Sequence, residues 1–136
     1  MNMKKIIIGV TQFGMHYGIT NKSHYNKKKK LNQILNFSKK KNIRALYTSK
    51  YYGNSNKLLS LEDLSGFEIF LKFKSEDLLN NKFFLELNEI KSTLKKNSLV
   101  LMIDGFEKLN IKKSEKIYNI LLNLRKKKYI SKFGYS

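Results

Sequence analysis

Hydrophobic spacing along the chain switches repeatedly between runs that suit strands and a period of about 3.6 residues that suits helices. The run Ile6-Ile7-Ile8-Gly9-Val10 is apolar throughout, the pattern of a parallel strand covered on both faces. Residues 11–26 read as a polar loop with glycines. Leu31, Ile34, Leu35 and Ser38 then recur at helical spacing and Lys39, Lys40 and Lys41 follow, which predicts an amphipathic helix. Residues 43–47 predict a second strand and residues 55–59 a short helix, capped by Asn54 or Ser55. Phe67, Ile69, Leu71 and Phe73 alternate with Glu68, Phe70, Lys72 and Lys74, so a third strand is expected with Lys72 on the face opposite Leu71. Phe83, Leu87, Ile90 and Leu94 form one helical stripe opened by Ser75 or Asn81. Residues 98–103 predict a fourth strand ended by Asp104 and Gly105, Ser114 caps a helix that carries Ile117, Leu121 and Leu124 and is finished by residues 125–128, and residues 129–134 predict a fifth strand.

Strands alternating with helices call for a parallel sheet with right-handed crossovers. An open doubly wound sheet and a barrel both satisfy that order. Gly9, Gly14 and Gly18 are too widely spaced for the glycine-rich turn of a dinucleotide-binding open sheet.

Short motifs sharpen the choice. Leu46-Tyr47-Thr48-Ser49 precedes Tyr52-Gly53-Asn54-Ser55, and Thr11-Gln12-Phe13-Gly14 precedes Tyr17-Gly18-Ile19 and Asn21. Phe70-Leu71-Lys72, the stretch from Leu99 to Asp104 with Phe106-Glu107-Lys108-Leu109, and Tyr129-Ile130-Ser131-Lys132-Phe133-Gly134-Tyr135-Ser136 follow in order. Together they resemble the landmarks of the aldo-keto reductase family, in a bacterial branch of it. The resemblance implies an α/β fold, a partial TIM (β/α)8 barrel in which parallel strands one to five alternate with helices across residues 1–136 as a single N-terminal half-barrel. It also implies NADP- or NAD-dependent reduction of a small aldehyde or ketone. By position Tyr52 would be the general acid and Lys72 its charged partner, while Thr11, Gln12 and Ser136 would face the cofactor. A phenol of ordinary pKa near 10 is a poor acid at neutral pH, and a neighbouring ammonium helps it release its proton. The sequence departs from the family at two further positions. Tyr47 stands where a carboxylate would hold the lysine, and Ile103 where a histidine would orient the substrate oxygen; neither can take over that role.

Length then bears on activity. A full (β/α)8 barrel takes about 250 residues and this chain has 136. A truncated or decayed reductase, half a barrel completed by a second chain, and a rearranged small domain are the three readings this leaves, with the first favoured and activity expected to be weak or absent. The formal charge of +18 raises a different class, a non-catalytic basic module that binds nucleic acid or another polyanion through lysines and the exposed rings of Tyr17, Tyr25, Tyr51 and Tyr135. The lysine clusters fall at the ends of predicted helices, where solvated cations favour the helix dipole, so nucleic acid is the less favoured partner. The sequence has no cysteine, which fits a reducing, cytoplasmic setting without a disulfide framework. Residues 6–10 are too short a run to span a membrane, and no membrane partner is expected. His16 and His24 stand without acidic or cysteine companions, so no metal site is expected.

Overall fold

The structure, a computed structural model, describes residues 6–19 and 27–136. The expectations for Asn21, His24 and Tyr25 lie outside the described residues. Two compact units divide the chain, one ending at Ile69 and one running from Phe70 to Ser136. The first holds β1 (Ile8–Gly9), α1 (Thr11–Gly14), α2 (Lys27–Lys40), β2 (Ala45–Ser49), α3 (Ser55–Leu59) and the start of β3 (Glu68–Lys74). The second continues β3 and adds α4 (Ser75–Leu78), α5 (Phe83–Thr93), β4 (Val100–Asp104), a 3-10 turn at Phe106–Lys108, α6 (Ile111–Lys126) and β5 (Lys132–Tyr135).

Strand order in the sheet follows chain order, β1-β2-β3-β4-β5. Every described pairing is parallel: Ile8 faces Leu46, Lys72 faces Met102, and Met102 faces Gly134. Parallel neighbours need a crossover, and the helices supply it.

In the first unit α2 buries Leu31, Leu35 and Ser38 as the spacing predicts, and Leu46, Leu59 and Phe67 are sealed with them. Lys39 leaves the end of α2 to meet the turn before β3: its ammonium donates to Asp63 Oδ2 at 2.6 Å and to the Asp63 carbonyl at 2.9 Å. The Lys39 hydrogen bond, helped by donation from Ser65, holds the Asp63 carboxyl well below the usual carboxylate range. The expected first strand is only partly realised. β1 keeps two residues and ends the sheet, and Ile6 and Ile7 are 39% and 44% exposed rather than covered on both faces.

In the second unit β3 buries Leu71 and Phe73 in alternation with Lys72. Leu101 and Ile103 of β4, Phe83 and Leu87 of α5, and Ile117 and Leu121 of α6 are at most 1% exposed. Phe73 and Phe83 meet edge to face at 5.2 Å between centroids, the geometry favoured by ring quadrupoles. Ser75 and Asn81 were alternative helix starts, and the chain makes two helices there. The Lys74 N–H donates to Asp77 Oδ2 at 2.8 Å and caps the start of α4, while the Lys82 N–H donates to Asn80 Oδ1 at 2.9 Å and turns the chain into α5. α6 starts at Ile111 rather than after Ser114. Asn110 accepts from the Lys113 N–H at 2.9 Å and so takes the cap, leaving Ser114 to donate back to the Asn110 carbonyl. Among the described residues no helix is long and apolar enough to cross a membrane.

Leu101, the second residue of β4, is wholly buried. Leu101→Ala should lower unfolding stability by about 3 kcal/mol with the urea slope unchanged, measured by equilibrium denaturation; a cost under about 1 kcal/mol would mean that this core is not packed as described.

Candidate functional site

The loops that follow β1 and β2 are fastened face to face. Gly53 has φ of 52°, a left-handed backbone that glycine adopts without penalty. A methyl group there would strike the Gly14 carbonyl, and one at Gly14 would strike the Tyr52 carbonyl and the Ser55 hydroxyl. Only hydrogen fits on both sides. The close approach lets the Asn54 N–H donate to the Gly14 carbonyl at 3.1 Å. Ser55, 1% exposed, donates its hydroxyl to the Val10 carbonyl at 2.9 Å. Asn54 is the residue before α3 but makes no side-chain cap; its backbone makes the contact instead. Behind this loop the buried Thr48 hydroxyl pairs with Asn56 Oδ1 at 2.7 Å, and Asn56 Nδ2 donates to the Ser49 carbonyl. Tyr52 is thereby held by its backbone, donating to Ser49 and accepting from Ser55, with its ring half-buried. Thr11 and Gln12 form the start of α1 directly after β1, the first half-buried and the second exposed.

Lys72 is on the half-buried face of β3, between the sealed Leu71 and Phe73. Its ammonium lies 3.5 Å from Asp104 Oδ2, with the two side chains 22% and 43% exposed. The register explains the meeting. Lys72 pairs with Met102 and Lys74 with Asp104, and because side chains alternate Lys72, Met102 and Asp104 share one face. Ile103 belongs to the other face and is fully buried. Asp104 was expected to end the strand and turn the chain. It does end β4, and it is also the carboxylate of an ion pair with Lys72 at the carboxyl end of the strands.

Beside this pair a cavity of about 370 Å3 opens at the carboxyl ends of β3 and β4, with Lys74, Ser75, Asp104, Lys108 and Lys113 in its wall. The Ser75 hydroxyl donates to the Gly105 carbonyl at 3.2 Å across its floor. Phe106 stacks on Tyr135 with centroids 4.4 Å apart. Ser136 follows β5, and its N–H donates to the Ile103 carbonyl at 3.0 Å, continuing the ladder by one bond. Sequence reasoning missed Asp104 as the partner of Lys72. The period-two alternation places Asp104 and Met102 on one face, but only the register of β4 against β3 brings that face to Lys72.

No family model matches the sequence, and no curated protein matches it. Similarity appears in the fold. An aldo-keto reductase assignment from Pseudomonas aeruginosa superposes with a TM-score of 0.74 at 16% identity, covering 96% of this chain and 54% of that one. A thermostable aldo-keto reductase in complex with the inhibitor epalrestat gives 0.67 at 14% identity over 95% and 48%. An aldo/keto reductase from Klebsiella pneumoniae in complex with NADP and acetate gives 0.69 at 10% identity over 95% and 44%. The chain thus spans about half the length of the solved structures it matches, and its fold is a partial (β/α)8 barrel of five parallel strands with intervening helices.

Removing the Asp104 carboxylate takes away the partner that the Lys72 ammonium meets at 3.5 Å. Asp104→Asn should speed acetylation of Lys72 by about two- to fivefold, as expected for a partly exposed ion pair, read by residue-resolved mass spectrometry after brief labelling. An unchanged rate would show that the two groups do not interact in solution.

Proposed function

We propose that this chain is the first part of an aldo-keto reductase barrel and carries the proton-donating side of an NADP(H)-dependent reduction of a small aldehyde or ketone. The observation that supports this most is a half-buried lysine faced by a carboxylate at the carboxyl ends of parallel strands, the end at which barrels of this kind keep their chemistry. In this reading Tyr52 gives its proton to the carbonyl oxygen. By the family resemblance Lys72 would be the charged partner in that step. Asp104, 3.5 Å from the Lys72 ammonium, would take the counter-ion role that Tyr47 cannot fill, from β4 instead of β2.

Thr11 and Gln12 follow β1 in the first unit and Ser136 follows β5 in the second, each at least partly exposed; by the family resemblance these are the positions that would face a nicotinamide cofactor. When bound, the cofactor supplies the hydride that reduces the carbonyl carbon. The strands beyond β5, from the same polypeptide or from a second chain completing the barrel, would carry the rest of the cofactor site. The cysteine-free sequence is compatible with a reducing compartment, and we read the protein as cytoplasmic.

NADPH fluorescence should respond saturably to the protein. Tyr52→Phe should retain that response while NADPH-dependent reduction of an aromatic aldehyde falls about 10²- to 10⁴-fold, the usual worth of a positioned general acid. Salt-sensitive retention of RNA with no NADPH response would favour the basic binding module instead.

A further inference from the structure

We propose that the concavity where α5 and α6 end is a binding site for a phosphate-bearing polyanion. It has a volume of about 470 Å3, and Lys91, Lys95, Lys96, Lys127, Lys128 and Tyr129 contribute to its wall. No carboxylate is among the residues lining it. α5 ends just before this surface and β4 begins just after it, and α6 stands in the same relation to β5. The site therefore lies at the amino ends of these strands, the opposite end from Asp104, and owes nothing to the reductase reading.

Lysine at a helix C-terminus is ordinary, because it complements the helix dipole. Two features here go beyond that. Five lysines are among the residues lining one concave surface, and like charges gathered on one surface raise the potential that a multiply charged anion would meet. In addition, Lys95 and Lys128 have φ of 52° and 58°, each just past a helix end where glycine is the residue that fits without cost. Two side chains are thus kept in a disfavoured backbone conformation, and both face the same cavity. Strain of this kind tends to gather where a ligand is held.

Lys91 is also fixed in advance. Its ammonium donates to the Tyr129 carbonyl at 2.8 Å and lies 4.1 Å from the centre of the Tyr129 ring. Burial pushes that ammonium below the usual lysine range, the direction expected of a cation drawn partly from water. Compact ammonium groups suit a chain of phosphates, which offers several charges along one flexible ligand. Inorganic polyphosphate and a nucleic-acid backbone share this chemistry.

The test uses the whole chain with two probes: inorganic tripolyphosphate followed by calorimetry, and labelled single-stranded oligoribonucleotides of increasing length followed by anisotropy. Lys95→Gly combined with Lys128→Gly should raise the melting temperature, because the backbone strain is gone, and yet weaken binding about tenfold, lowering the salt slope for the oligonucleotide by about two. Lys40→Gln combined with Lys41→Gln also removes two charges and should leave binding within about twofold of the parent. Tight tripolyphosphate binding with weak, length-independent oligonucleotide binding would identify free polyphosphate as the ligand. Affinity that grows with oligonucleotide length over weak tripolyphosphate binding would identify the nucleic-acid backbone. Failure to bind either probe, unchanged binding in the glycine variant, or an equal loss in the glutamine control would overturn the proposal.

Discussion

The close approach of Gly14 and Gly53 is the constraint on which the front of the first unit depends. Neither backbone position tolerates a side chain, and the contact between them converts two separate strand-to-helix loops into one hydrogen-bonded assembly. The Asn54 N–H to Gly14 carbonyl bond and the buried Ser55 hydroxyl to Val10 carbonyl bond satisfy polar groups that would otherwise be buried without partners, a deficit of about 1–3 kcal/mol each. Tyr52 stands inside that assembly. Its place after β2 is set by backbone contacts, so the Tyr-Gly-Asn-Ser pattern has a structural cause that does not presuppose catalysis.

The second unit rests on a different device, the parallel register of β3 and β4. Sliding β4 by one residue would exchange its faces, sending Asp104 to the buried side and Ile103 toward Lys72. The observed register does the reverse. It seals Ile103 among apolar neighbours and leaves a partly exposed carboxylate beside a partly exposed ammonium. A lysine beside a carboxylate can remain charged while half-buried, because the opposite charge offsets lost hydration.

Much of this was legible in the residue pattern, and the misses have physical reasons. The stripe Leu31, Leu35, Ser38 and the alternation of Ile69, Leu71 and Phe73 were readable because one buried face imposes a strict period. α6 was placed late because Asn110 and Ser114 are both competent caps, and only the geometry of the first turn chose Asn110. The first strand was overestimated because the run from Ile6 to Val10 carries no mark of the sheet's end, where apolar residues stay partly exposed. Asp104 was read as a turn residue because its partner is 32 positions away in the chain, and register across a parallel pair is a tertiary property. The lysine cavity was invisible for the same reason, since its two walls come from segments either side of β4.

The face-to-face loops can be tested through one proton. In deuterated solvent, proton–nitrogen NMR should show the Asn54 amide exchanging as slowly as the Val10 amide, which donates to the Tyr47 carbonyl in the β1–β2 ladder, since both would open only with the unit as a whole. Exchange of Asn54 at the rate of an open loop, with Val10 still protected, would contradict the account.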